Sequence, residues 1–411
     1  MTDLSATAGG GKARVVPVSS AYIHIPFCVR KCAYCDFLSF PSYLNRIDEY
    51  VDAVCKEAKM GKKWFGSCAS DACAAGEGAV TKTPLQTIYF GGGTPSLLSP
   101  SQVGKILDTL RDVYGISEDC EITLEVNPGT IDQEKLSGFK KAGINRLSLG
   151  IQSLDDLVLQ TLGRIHDSST AKKAVSDAKT AGFSNISCDM MLGIPGQTME
   201  SVKESLDFFL NNSIPHISLY SLILEEGTPM YARYNGDIEK YVTQEEDRAM
   251  YHLVTSTLKE NGFVHYEISN MAKEGFESRH NSMYWRAEPY YAFGVGAHYY
   301  IGAERGRHAE TLDEYLSAMK DPDPKKEDVL ITEEILSDDD RKKEFMMLGF
   351  RTRRGVGEQA FFKRFGMPVT SAFGEELDRE IQSGLVEFTD GIYRLTEKGV
   401  DLANQVFMDY V

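Results

Sequence analysis

The chain has 411 residues, 42% of them hydrophobic, and a formal net charge of −16 from 44 Lys and Arg against 60 Asp and Glu. That acidity argues against a nucleic-acid phosphate backbone as partner and against docking on an anionic membrane. No apolar run approaches the roughly 20 residues that cross a bilayer, and eight cysteines, three of them in one short window, fit a reducing cytosol better than a disulfide framework.

Residues 1–20 hold a Gly-Gly-Gly and no apolar signal core, so a flexible tail is expected and not a signal peptide. A short apolar stretch, 21–25, reads as a strand and runs into Cys28, Cys32 and Cys35. Three thiolates can hold three corners of a cubane iron–sulfur cluster that normally takes four cysteines, which leaves one iron open to a small molecule. Zinc wants a fourth Cys or His nearby, and none follows before Cys55. The residues by themselves favour the cluster over structural zinc or three unrelated buried thiols.

The stretch 61–83, rich in Gly, Ala and Ser, reads as a surface insertion whose Cys68 and Cys73 are either extra ligands or, the better reading, free thiols. Further strands are expected at 86–90, 121–125, 146–151, 186–191 and 216–222. Between them recurs one pattern, a helical stretch, a Gly, an apolar residue and a β-type run, at 140–150, 180–189 and 260–269. Gly143, Gly182 and Gly262 suit the left-handed residue that ends a helix. Alternating β and α units imply a parallel sheet with helices outside, and six units fall short of the eight of a closed barrel.

Phe90-Gly-Gly-Gly-Thr-Pro95 follows a strand and precedes a helix expected from Ser99 or Pro100, so its backbone can approach a ligand closely or simply form a tight turn. Glu125 ends the next strand, where such folds place active sites, though a surface charge would look the same. From about Leu330 the character changes. Residues 337–366 are charged and helical, Asp390-Gly391 signals a hairpin, and a final helix runs to about Met408. A tail (1–20), a partial barrel with extension (21–325) and a small winged-helix-like domain (330–411) are the expected division, the last serving as packing or a substrate lid because the acidity argues against DNA.

C-x3-C-x2-C with Tyr34 just before the third cysteine resembles the signature of the radical S-adenosylmethionine (SAM) family. The resemblance implies an α/β fold, a partial (β/α)6 barrel of the radical SAM type with a small C-terminal α+β domain. It also implies a [4Fe-4S] cluster on Cys28, Cys32 and Cys35 whose open iron is chelated by SAM and which, once reduced, cleaves SAM to a 5′-deoxyadenosyl radical. An electron donor such as flavodoxin or ferredoxin would serve it. On the same resemblance Tyr22, Tyr34, Gly92, Gly93, Thr94, Glu125, Gln152, Arg164 and Asp189 fall at positions on or near SAM. The Glu125 carboxylate suits the ligand's amino group, Asp189 suits ribose hydroxyls, and Arg164 suits a carboxylate or is a solvated helix-end cation.

Tyr22-Ile-His-Ile-Pro-Phe-Cys28 narrows the resemblance to the branch of oxygen-independent coproporphyrinogen III oxidase. The true dehydrogenase carries a further cysteine where this chain has Phe37. His280-Asn-Ser-Met-Tyr-Trp285 is similar instead to a motif of the haem chaperone family, and that likeness covers nearly everything from about residue 20 onward, apart from 61–83. It implies a cytoplasmic protein that binds haem and passes it to acceptor proteins, with the cluster and SAM assisting. Haem contacts are then expected at His280, Tyr284, Trp285 and His298. A packed, hydrogen-bonded His280 is the competing reading, and Tyr299 stands where the family has Gly. His24 falls near SAM or makes a structural hydrogen bond in the loop. The enzyme alternative is oxidative decarboxylation of coproporphyrinogen III, and a weaker third is radical methyl transfer.

Overall fold

The computed structural model describes residues 16–65 and 83–411. Six parallel strands lie side by side in chain order: β1 (Ser20–Ile25), β2 (Leu85–Gly92), β3 (Ile116–Val126), β4 (Arg146–Gln152), β5 (Asn185–Leu192) and β6 (His216–Ser221). The antiparallel pair β7 (Val264–Glu267) and β8 (Asn270–Ala272) adds to β6 through β8, and β9 (Tyr291–Phe293) adds parallel to β1. The nine strands end at β7 on one edge and β9 on the other, so the barrel is open between them.

Helices α1 (Ile47–Phe65), α2 (Pro100–Tyr114), α3 (Gln133–Ala142), α4 (Asp156–Thr161), α5 (Ser168–Thr180) and α6 (Met199–Asn211) make the crossovers. Local sequence dictates their ends. Ser99 caps α2 in a capping box with Gln102, with Pro100 pre-set for the first turn. Gly143 takes a left-handed φ of 117° after α3, and Gly182 and Gly262 are also at positive φ.

The strands alternate in a way that a parallel sheet covered by helices ordinarily does not, since such strands are normally apolar on both faces. Ala21, Ile23, Ile25, Ile88, Phe90, Leu124, Leu147, Leu149, Cys188 and Ile217 build the core with the helices. The residues between them, Tyr22, His24, Tyr89, Thr123, Glu125, Arg146, Ser148, Asp189 and Ser218, are polar and meet one another inside the barrel. A polar lumen is thus built in with a period of two.

Three sequence-based boundaries need correction. Sheet pairing starts before residue 21, because the Gln86 and Thr87 amides donate to the Ser19 carbonyl (2.7 and 3.4 Å). The insertion does not begin at 61: α1 continues to Phe65, with Gly61 and Phe65 buried, and Cys68 and Cys73 lie outside the described residues. The C-terminal unit does not begin at 330. Leu330–Ile335 (β12) pairs with β11 (Glu304–His308), itself antiparallel to β10 (His298–Ile301), and Leu330 packs into the barrel's core.

A second core, around Phe350, Phe361, Val369, Leu377 and Tyr410, lies beyond that strand. It is built from helix Asp338–Phe350, strand β13 (Val356–Gly357), helices Glu358–Phe365 and Val369–Gln382, and the hairpin β14 (Val386–Thr389) and β15 (Ile392–Leu395). Asp390 and Gly391 sit at φ 55° and 76°, as a two-residue hairpin turn requires. This unit covers the open edge β7: the Ile268 amide donates to the Arg351 carbonyl and the Arg353 amide to that of Tyr266 (3.1 and 3.0 Å).

Candidate functional site

The cysteine loop leaves the C-terminal end of β1 and is tied down from both sides. The Ala33 amide donates to the Leu162 carbonyl at the end of α4 (3.1 Å), and the Ala33 carbonyl accepts from the Met230 amide (2.9 Å). The Arg30 guanidinium donates to the Gly163 and Arg164 carbonyls, both at 3.0 Å. Cys28 is buried, while Cys32 and Cys35 are partly exposed. Burial raises the Cys35 thiol to about 11, so binding a metal there means displacing a proton. Among the described residues no three His, Cys, Asp or Glu side chains close on a single-ion position.

The glycine run at the end of β2 faces this loop at a distance no side chain tolerates. A Cβ on Gly93 would lie 2.7 Å from the Phe27 carbonyl oxygen and 3.1 Å from Cys28 Sγ. Gly92, at φ 114°, has the His24 ring at 2.6 Å from the same construction. His24 is held by the Tyr22 hydroxyl at Nδ1 and the Leu38 carbonyl at Nε2 (both 3.1 Å), which fixes the chain after Cys35 to β1. Burial keeps that imidazole neutral, with its pKa lowered to about 4.

A polar arc joins two of the cysteines. Cys28 Sγ meets Thr94 Oγ1 at 3.4 Å, Asn127 Nδ2 donates to Thr94 Oγ1 (2.8 Å), Arg164 Nη2 donates to Asn127 Oδ1 (2.5 Å), and Arg164 Nη1 reaches Cys32 Sγ at 3.5 Å. Arg164 also donates to the Gly150 carbonyl (2.7 Å) and faces the buried Tyr34 hydroxyl. It is therefore an internal cation, not a solvated helix end. Gln152 completes this group: its φ is 67°, a strained value for a residue with a side chain, and its buried Oε1 has no protein partner.

Two carboxylates lie deeper in the lumen. Glu125 accepts the Tyr89 hydroxyl (2.8 Å) and the Gly92 amide (3.2 Å), yet burial and the nearby Asp189 charge raise its pKa to about 7. Burial raises Asp189 to about 6, against hydroxyl donors from Ser218 and Ser148 and the charges of Arg146 and Arg164. Arg146 is 2% exposed, and among the described residues no hydrogen bond or ion pair reaches its guanidinium. Thr123 Oγ1, Arg146 Nε, Gln152 Oε1 and Arg164 Nε are all buried without a partner. A pocket whose polar atoms lack partners, between carboxylates that a cation would fully ionise, suits a charged polar ligand. Cysteine thiols, an open glycine backbone, carboxylates and an internal guanidinium form a donor set that fits a cluster with SAM.

Of the four residues expected on haem, His280 and Tyr284 are in contact with each other, while Trp285 and His298 are not joined to them by a hydrogen bond or ring contact among the described residues. His280, at 1% exposure on α9 (the seven-residue helix Arg279–Trp285 after α7, Pro229–Arg233, and α8, Gln244–Glu260), donates or accepts at both ring nitrogens. Nδ1 meets Thr87 Oγ1 (2.9 Å), Nε2 meets the Tyr284 hydroxyl (2.8 Å), and the ring stacks on Tyr89. Burial and the Arg146 charge lower its pKa to about 3. Glu121 accepts the Arg279 and His280 amides (3.1 and 3.0 Å), so α9 plugs the lower end of the barrel. His280 is thus a packed histidine with a hydroxyl partner at each ring nitrogen. His298, in contrast, is exposed at the start of β10, its ring without a hydrogen-bond partner among the described residues. Tyr299 is fully buried and donates to Glu304 (2.6 Å). Trp285 packs its ring under the Arg351 guanidinium (4.4 Å) at the boundary with the C-terminal unit.

Asn127, Tyr89, Ser148 and Arg146 were not singled out from the sequence. Asn127 had a signal, its place two residues after Glu125 at a strand end; the others show only as polar steps in apolar strands.

Comparison with known proteins agrees with this geometry. Residues 22–209 match the model of the Radical SAM superfamily, and residues 336–402 that of the HemN C-terminal domain. The chain is 34% identical over 393 residues to a protein of Lactococcus lactis subsp. lactis named Heme chaperone HemW, covering 96% of this chain and 97% of the relative. It is 35% identical over 396 residues to the Bacillus subtilis protein of the same name, covering 95% and 98%. Among solved structures it resembles the coproporphyrinogen III oxidase HemN of Escherichia coli, with a TM-score of 0.78, 20% identity, and coverage of 97% of this chain and 90% of that one. This last likeness concerns the fold alone.

Proposed function

The chain belongs to the family of the Heme chaperone HemW proteins, within the radical SAM superfamily, and from that premise we propose that it binds haem and delivers it to acceptor proteins. What carries the reading is the near full-length likeness to HemW-named relatives together with Phe37. That side chain is 69% exposed in the cysteine loop, where an enzyme of the oxidase type would need a further thiol. Decarboxylation of coproporphyrinogen III is not favoured on the same ground.

In this proposal Cys28, Cys32 and Cys35 hold a [4Fe-4S] cluster, and the group supplies one-electron chemistry with SAM when both are bound. Gly92 and Gly93 present backbone to the ligand's methionine end, Glu125 takes its ammonium, and the Arg164–Asn127 arc holds a carboxylate beside Cys32. Asp189 faces ribose hydroxyls, Gln152 offers its free carbonyl oxygen, and Tyr22, Tyr34 and Thr94 wall the space. Haem acceptors and an electron donor of the flavodoxin or ferredoxin kind are the expected partners.

The test is a haemin titration of the anaerobically reconstituted protein, followed by gel filtration and an absorbance spectrum. Haem co-eluting at about one per chain with a shifted Soret band is expected. No retained haem, with turnover of coproporphyrinogen III by SAM and a reductant, would establish the enzyme instead.

A further inference from the structure

A cleft of about 900 Å³ separates the lower end of the barrel from the C-terminal unit. It lies at the opposite end from the cysteine loop: Val16 and Pro17 precede β1, Gln86 and Thr87 sit near the start of β2, and α9 forms its floor. Its volume is within the range of small-molecule sites, roughly 300–1,000 Å³.

The lining combines flat apolar surface with unneutralised positive charge. Trp285, Phe345, Met283, Val356 and Ala360 supply the former, and the Trp285 indole N–H has no acceptor. Of the five cations on the lining, Arg279 pairs with Asp119 (3.4 Å) and Arg286 with Glu288, which leaves Arg354, Lys363 and Arg364 without an ion pair among the described residues. Glu288 pairs with Arg286 (2.7 Å) and Glu277 accepts the Gly275 amide (3.0 Å). The Arg354 and Lys363 side chains have no ion pair or hydrogen bond among the described residues, and Arg364 donates to the Ala287 carbonyl (2.7 Å) with its Nε unused. In a chain of net charge −16, self-attraction would be expected to cover such a patch.

We propose that this cleft seats a flat, amphipathic dicarboxylate, the haem of the function proposed above, with its two propionates on Arg354, Lys363 and Arg364 and its ring against Trp285 and Phe345. The inference rests on that haem reading. No His or Cys lines the cleft, so the carboxylates and the ring face hold the ligand, and the iron stays available to an acceptor. A seat remote from the cysteine loop also lets haem and SAM bind without competing.

The test compares three probes on the reconstituted full chain: haemin, iron-free protoporphyrin IX and haemin dimethyl ester. Haemin and the iron-free ring should bind within about threefold of each other, and the ester roughly tenfold or more weakly, since it cannot form the charge-assisted hydrogen bonds. The double variant R354E/K363E, at exposed positions, should lose about tenfold for haemin and little for the ester, with an unchanged melting temperature. SAM should not displace haemin. Parent-like haemin binding by R354E/K363E, or loss of binding in His298→Ala with the cleft intact, would overturn the cleft while leaving the haem reading standing. A parent protein that binds no haemin would overturn both.

Discussion

Glu57 and His308 are buried as deeply as Arg146, but the joint they form and the barrel's lumen live on opposite terms. Glu57 accepts from His308 Nε2 (2.5 Å), the Tyr315 hydroxyl (2.6 Å) and the Gly294 amide (2.9 Å). His308 Nδ1 meets the Ala297 carbonyl (2.6 Å), so the ring faces an acceptor at each nitrogen. Every polar atom of that network, which ties α1 to the turn after β9 and to β11, is used. In the lumen Arg146, Gln152, Thr123 and Arg164 each keep a buried atom without a partner, and two carboxylates sit near neutrality in their titration. Saturation marks a joint; a deficit of partners marks a place kept for something that arrives later.

The largest effect should fall on the lumen end, at the loop. Cys32→Ala removes a proposed cluster ligand outright, and Gly93→Val drives a side chain into the Phe27 carbonyl and Cys28. Both should abolish iron and sulfide incorporation while the circular dichroism spectrum remains that of the folded chain. A Gly93→Val protein that takes up a full cluster would break the claim that the close approach is what the glycines are for.

Next comes the joint. Glu57→Gln or His308→Ala opens a buried, fully bonded pair and should cost about 3–5 kcal/mol of stability, read by denaturant unfolding, with SAM affinity of the surviving folded protein unchanged. A fall in SAM affinity without a fall in stability would erase the distinction between the two regions.

The third test uses pH. Burial puts the Glu125 pKa at about 7 against an ordinary value of 4.5, so the ligand-free fold binds a proton that the unfolded chain releases. The apo protein should therefore lose stability as pH rises from about 4.5 to 7 through this group. SAM binding, which in the proposed role needs the carboxylate, should strengthen over the same rise and level off above about 7. Equilibrium dialysis between pH 5.5 and 8 checks it, and Glu125→Gln should flatten the curve. A parent curve already flat across that window would remove Glu125 from the ammonium site.

What the sequence disclosed divides along the same line. The cysteine loop, the glycine caps at Gly143, Gly182 and Gly262 and the Asp390-Gly391 turn rest on local chemistry and were legible. Strands β7 to β9 are three or four residues long and carry no usable period, and the boundary after Ile335 depends on pairing with β11. His280 shows what a motif leaves out: its environment comes from Thr87, which lies 193 residues away in the chain, as much as from Tyr284 in the same motif. The polar lumen was half visible, since Arg146, Ser148, Gly150 and Gln152 alternate with Leu147, Leu149 and Ile151, but only closure of the sheet gives that face a meaning.

Arg146 gives the smallest and sharpest test of the contrast. A guanidinium at 2% exposure with no ion pair is a cost to the empty fold, because its desolvation is not repaid by a partner in contact. Its return is electrostatic: it draws down the pKa values of both Glu125 and Asp189 from across the lumen. Arg146→Met should therefore leave the ligand-free protein as stable or more stable, by about 1 kcal/mol, while both carboxylates move up and SAM binding at pH 7 weakens a few-fold. Raising the pH should restore most of that loss, since ionising the carboxylates replaces what the cation did. Loss of stability together with a pH-independent loss of binding would instead make Arg146 part of the frame, and the lumen would then resemble the Glu57–His308 joint after all.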